Sequence, residues 1–254
     1  MPGPTTRPGC GSSFACCRRR PPSPAKRLPA SAKATTTLVY VESSRTRTFA
    51  CAYDWPGWCR SGKDEASALA ALAAYAPRYA AVAKQARVPF EANPAGTFRV
   101  VERLAGSAST EFGVPGTIAK RDTTPLAAAE GKRLASLAQA AWVVYDQILA
   151  GAPAELRKGP RGGGRDRDKM ADHVRDAEGA YVRKLGLRLE PPDRRDRRAL
   201  AEFRTAIGEA LQRPSKGNAL VDKGWPQRYA ARRIAWHALD HAWEMQDRSE
   251  TRTA

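Results

Sequence analysis

The 254-residue chain contains only three histidines, His173, His237 and His241, and their placement is its first chemical feature. His237 and His241 are four residues apart. At about 100° per residue they lie about 40° apart around a helix axis and one turn apart along it, so two imidazoles can chelate one metal ion. His173 falls far upstream, on a helical stripe with Met170, Val174 and Ala177. A third nitrogen reaching across from that second helix would complete a set of three and leave a coordination position open for water or substrate. The competing reading makes each imidazole a core side chain with its own hydrogen-bond partner. Three buried imidazoles with no common purpose, however, leave several polar nitrogens to be satisfied independently.

Other residues near these positions carry weaker signals. Asp240 and Glu244 could support a ligand or act as a base, though charges on a helix surface have the same pattern. Asp172 precedes His173 and is expected to point away from it. Trp236 and Trp243, seven apart, suit packing better than a substrate wall. Tyr145, Tyr181 and Arg233 are candidates for the lining of a metal pocket. The Gly162-Gly163-Gly164 run lacks the Lys-Ser/Thr of a phosphate loop and reads as a connector.

The elements that must position the histidines are helical. After Thr123-Thr124-Pro125, Leu126, Glu130, Leu134, Leu137, Ala141, Val144, Tyr145 and Ile148 recur at mostly three- and four-residue steps up to Gly151-Ala152-Pro153. A second helix is expected over 167–185, stopped by Gly186. A third carries Leu200, Phe203, Ile207 and Leu211. The fourth, over 227–248, has Ala230, Ile234, His237, His241 and Met245 on one stripe, with Trp236, Leu239 and Trp243 beside it. Four amphipathic helices with short connections predict a four-helix bundle over 125–250.

Residues 36–106 have a different pattern. Thr37-Leu38-Val39-Tyr40-Val41 and the run 46–53, in which Phe49, Cys51 and Tyr53 alternate, read as strands, with Asp54-Trp55-Pro56-Gly57-Trp58 as a turn. An Ala-rich helix over 65–86 follows, with Leu69, Leu72, Ala76, Tyr79 and Val82 on its apolar stripe. Pro77 should kink or split it. Phe98-Arg99-Val100-Val101-Glu102-Arg103-Leu104 gives another strand, so the expected order is ββαβ. The fold class is therefore α+β in two domains, a small ββαβ module followed by an all-α bundle, with 107–124 as linker.

Two resemblances follow from these motifs. Phe49–Tyr53 as an extended run, Asp54-Trp55-Pro56-Gly57, Ser61-Gly62 and a helix opening on Asp64-Glu65 resemble the HicB-like α+β module over about seventy residues. That module commonly occurs in antitoxins with a separate DNA-binding segment. No helix-turn-helix or basic ribbon follows directly here, so only the fold is expected to carry over. Residues 125–250 resemble the DinB/YfiT-like metal-binding bundles. The likeness rests on Asp172-His173, then Glu178, Tyr181 and Leu185-Gly186, and on Trp236-His237-Ala238-Leu239-Asp240-His241-Ala242-Trp243-Glu244. It implies one divalent metal, zinc or nickel, held by His173, His237 and His241. It also implies a metal-dependent enzyme, such as a bacterial S-transferase using a low-molecular-weight thiol as cofactor. Hydrolysis by metal-activated water is a second enzymatic option.

Composition bounds the alternatives. The chain is 42% hydrophobic and 27% charged, as for a folded protein, and no apolar run approaches the ~18–20 residues of a membrane span. The balance is 43 basic against 26 acidic residues, or +17. Residues 1–35 hold seven basic and no acidic residues and are expected to be a disordered basic tail. Residues 157–204 carry fifteen basic against nine acidic residues, but the signs alternate, as on a solvated face. A small-molecule substrate is therefore favoured over nucleic acid as partner, and a homodimer through helices is compatible with the pattern. The competing functions are a non-enzymatic nucleic-acid- or toxin-binding protein and a structural bundle without metal. The five cysteines, Cys10, Cys16, Cys17, Cys51 and Cys59, form no Cys-x-x-Cys pair and read as free thiols of a cytoplasmic protein.

Overall fold

The computed structural model describes residues 36–91, 98–159 and 164–249, so the tail over 1–35 and most of the glycine-rich connector lie outside the described residues. Strands β1 (Thr37–Ser43) and β2 (Thr48–Ala52) form an antiparallel hairpin, with Tyr40 opposite Cys51 and Glu42 opposite Phe49. A strand that the sequence pattern did not predict follows. β3 (Cys59–Gly62) pairs antiparallel with β2, and the expected ββαβ order becomes three strands, two helices and a strand. Its four residues are too short and too polar to show a strand period, so pairing with β2 rather than its own pattern makes it extended. The turn between them relies on Gly57 at φ +92°, packed so closely on Ala235 and Leu239 that a Cβ would have no room.

Asp64 caps helix α1 (Glu65–Ala74) through a reciprocal capping box with Ser67. Helix α2 (Ala76–Gln85) begins again after Tyr75, with Pro77 in its first turn. The proline thus splits the expected helix where its missing N–H does least harm. The helices carry the chain across to β4 (Phe98–Ala105), which lies parallel to β1 and gives the sheet order β3-β2-β1-β4. Phe49, Cys51 and Tyr53 do alternate onto one face, where they meet Tyr40, Cys59 and Trp236.

Residues 107–124, expected as a linker, carry the short helix α3 (Ala108–Glu111) and a 3-10 turn at Lys120–Thr123. Polar anchors tie them down. The buried Glu42 carboxylate accepts from Thr110 Oγ1 at 2.6 Å and from the amides of Gly116 and Thr117 at 3.0 and 3.1 Å. Asp122, also buried, is paired with Arg232. Four long helices follow: α4 (Ala128–Gly151), α5 (Arg167–Lys184), α6 (Arg197–Gln212) and α7 (Gln227–Ser249). Leu126, expected inside the first of them, instead bridges to Ser215 just before it. Their stripes meet in one core that includes Leu134, Trp142, Met170, Ile207, Ile234 and Met245.

A second core joins the sheet to these helices: Val39, Trp58, Leu72 and Tyr79 pack with Ala141, Leu239 and Trp243. The described residues accordingly belong to one compact unit. Among them no helix is long and apolar enough to cross a membrane.

Candidate metal centre

Helix α7 is held at its start by Gln227, whose buried Nε2 donates to the carbonyls of Ala210 and Arg213 at 2.8 and 2.6 Å, at the end of α6. Its register then places Trp236 and Trp243 toward the sheet, where Trp236 meets Phe49 edge-on at 6.2 Å and Trp243 meets Tyr75 at 5.2 Å. Both tryptophans pack, as expected. The adjoining stripe turns His237 and His241 toward α5. That helix ends at Leu185, with Gly186 at φ +78° providing the left-handed stop, and His173 on it faces α7.

The three histidines converge. Each offers one ligand nitrogen, and these atoms all lie within 4.8 Å of one another. His237 Nε2 is 3.3 Å from His173 Nε2, and the three ring centroids are 4.8–5.1 Å apart. His237 is buried, while His173 and His241 are partly open. Burial first, then the charges of Arg165 and His241, hold His173 below the ordinary imidazole range. Burial also pushes His237 well below it, helped by His241 and Arg233. Both are therefore neutral near pH 7, the state in which imidazole binds metal.

Glu244 stands one turn beyond His241, with Oε2 3.0 Å from His241 Nδ1. Burial works against its ionisation, but hydrogen bonds with His241 and Arg248 outweigh it and hold the carboxyl below the usual range. With Nδ1 committed to Glu244, Nε2 is the nitrogen His241 has left for a metal. Glu244 is thus a partner of the cluster rather than a surface charge. Asp240 is not: its carboxylate pairs with Arg60 of β3 at 2.9 Å, and the Arg60 guanidinium lies 4.0 Å over the Tyr75 ring. Asp172 points away from the cluster to Arg194, at 3.1 Å.

Two of the three lining candidates are in place. The Tyr181 ring is 5.8 Å from that of His237. Arg233 lies 4.6 Å over Trp236 and 5.6 Å over Tyr181, and its Nη1 is buried with no hydrogen-bond partner among the described residues. Tyr145 belongs elsewhere, beside the buried Glu178–Arg204 pair, with Arg204 3.2 Å from Glu178 and 2.8 Å from the exposed Asp146. The sequence reading missed Arg165, whose charge bears on His173 and His237, and Trp225, whose ring is tilted against that of Tyr181 at 5.2 Å. Neither carries a spacing signal, because both lie outside helices. Along 167–204 several of the interleaved charges pair with one another, as in Arg175–Asp176, Arg194–Asp172 and Arg198–Glu202.

Three imidazole nitrogens, one ring backed by a carboxylate, suit a borderline divalent ion and leave room for a further ligand. Fold and cluster together define a mixed α+β protein with three histidines at metal-binding spacing. The chain matches no protein-family model, no curated protein and no solved structure.

Proposed function

We propose that this protein is a metal-dependent enzyme in which His173, His237 and His241 hold one divalent ion, zinc or nickel. The observation that carries the proposal is the approach of three imidazoles from α5 and α7 to within 4.8 Å. The suppressed basicity of His173 and His237 and the Glu244 carboxylate behind His241 support it. In this reading α4 to α7 are a DinB-like four-helix bundle and residues 36–106 a HicB-like module. The shared core of Trp58, Leu239 and Trp243 makes that module a support for α7.

The activity that fits best is S-transfer from a low-molecular-weight thiol. A bound divalent ion would supply Lewis acidity, lowering the pKa of a thiol or water that reaches it. His237 sits at the buried base of the site, and Glu244 fixes the ring of His241 and its tautomer. Arg233 places a positive charge beside His237, where it favours a thiolate over its protonated form. Tyr181 and Trp225 form an apolar wall next to the histidines.

The test is metal content by elemental mass spectrometry on untagged protein, beside a His237→Ala/His241→Ala variant checked for folding by circular dichroism. Near-stoichiometric metal in the parent that is lost in the folded variant supports the site. It also justifies screening thiols with electrophilic acceptors. No metal in either protein after incubation with zinc or nickel overturns the proposal.

A further inference from the structure

A pair of thiols lies outside the histidine cluster. Cys51 of β2 and Cys59 of β3 are direct register partners in the antiparallel ladder. Both are buried and reduced, and their thiols interact with each other. The ladder sets the geometry of the pair. The Ala52 amide donates to the Trp58 carbonyl at 3.0 Å, which makes the neighbouring Cys51/Cys59 position the non-hydrogen-bonded one. Such pairs hold their Cα atoms about 4.5 Å apart. That spacing is at the short end of the ~4.4–6.8 Å that a disulfide spans. Period-two alternation puts both side chains on one face, where they share a narrow cleft with Tyr40, Tyr229, Arg232 and Trp236.

We propose that Cys51 and Cys59 form a reversible dithiol–disulfide switch closed by hydrogen peroxide and reopened by an external thiol, which is itself oxidised to its disulfide. One thiol attacks the peroxide as its thiolate, giving a sulfenic acid and one water. The second sulfur displaces the hydroxyl from the first, forming the S–S bond and releasing a second water. Two electrons pass from the thiols to the peroxide, and the two thiol protons leave in the waters. The backbone already has the spacing, so closure needs side-chain rotation alone. Burial raises the Cys59 thiol and keeps it protonated at rest. A small oxidant entering the cleft therefore has an advantage over bulky electrophiles. The alternative is that both residues only fill space as small hydrophobes.

Trypsin decides between these, because residues 48–60 contain both cysteines and no internal Lys or Arg. The folded full-length protein is treated with hydrogen peroxide, blocked with an alkylating agent under denaturing conditions, and digested. The expected result is a 48–60 peptide lighter by two hydrogens and unalkylated, restored to its doubly alkylated form by prior dithiothreitol. A peptide that stays fully alkylatable overturns the proposal. So does oxygen addition at one cysteine only, or a cross-link to Cys10, Cys16 or Cys17. Cys51→Ser must abolish the hydrogen-loss signal. If that variant does not fold, Cys10→Ser/Cys16→Ser/Cys17→Ser, which must retain the signal, is the control.

Discussion

Glu244 Oε2 lies 3.0 Å from Nδ1 of His241 and is itself gripped through Oε1 by Arg248 at 2.7 Å. A carboxylate held in this way fixes the imidazole ring and its proton, and a ligand so oriented binds metal better than a free one. Glu244→Gln keeps the size of the side chain and removes its charge. Zinc affinity, measured by competition with a chromophoric chelator, should fall by about 10–100-fold while the fold is retained. Unchanged affinity would remove Glu244 from the site.

Metal bound only by the folded chain adds to its stability. Stripping the parent with a chelator should lower its melting temperature, and zinc should restore it. The His237→Ala variant should show neither response. Differential scanning fluorimetry with and without chelator makes the comparison. A chelator-insensitive parent that had bound metal at purification would place that metal elsewhere.

The lowered basicity of His173 and His237 has a defined sign. Unfolded imidazoles titrate near pH ~6.5, whereas these two titrate lower in the folded chain. Below about 6.5 the unfolded state therefore binds more protons, and metal-free protein should lose stability as pH falls from there toward the folded-state values. Above that window these two histidines contribute no pH dependence. Urea denaturation in chelator at pH 7.5, 6.5 and 5.5 should show the decline, and His173→Gln/His237→Gln should flatten it.

The Arg204–Glu178 pair is buried on both sides, with Asp146 completing it from the surface. Arg204→Ala leaves the Glu178 carboxylate buried and unpaired, which should destabilise the protein by about 3–5 kcal/mol. A double Arg204→Met/Glu178→Met variant should recover much of that loss. Denaturant midpoints for the two variants test both statements.

Trp243 belongs to the core that the sheet module shares with α4 and α7. Trp243→Ala should destabilise the protein by about 3–5 kcal/mol, the usual range for a buried large aromatic. The parent should unfold in one transition, seen together by far-ultraviolet circular dichroism and by tryptophan fluorescence. Two separated transitions would mean that the shared core does not couple the segments.

The sequence alone determined the parts of this protein that depend on local periodicity. The helical stripes of α4 to α7, the break at Pro77, the stop at Gly186 and the alternation of Phe49, Cys51 and Tyr53 all follow from repeats of about 3.6 or 2 residues or from backbone restrictions at single positions. The pairing of His237 with His241 was legible for the same reason, since residues four apart on a helix share a face. Tertiary structure decided what depends on partners distant in the chain. β3 became a strand because β2 offered it unpaired amides, and Asp240 turned away from the histidines because Arg60 of β3 pairs with it. Residues 107–124 became fixed because Glu42 and Arg232, far away in sequence, had buried charges to satisfy. The distance from His173 to His237 is also of this kind: no local rule fixes the separation of two helix faces, only the packing of the side chains between them.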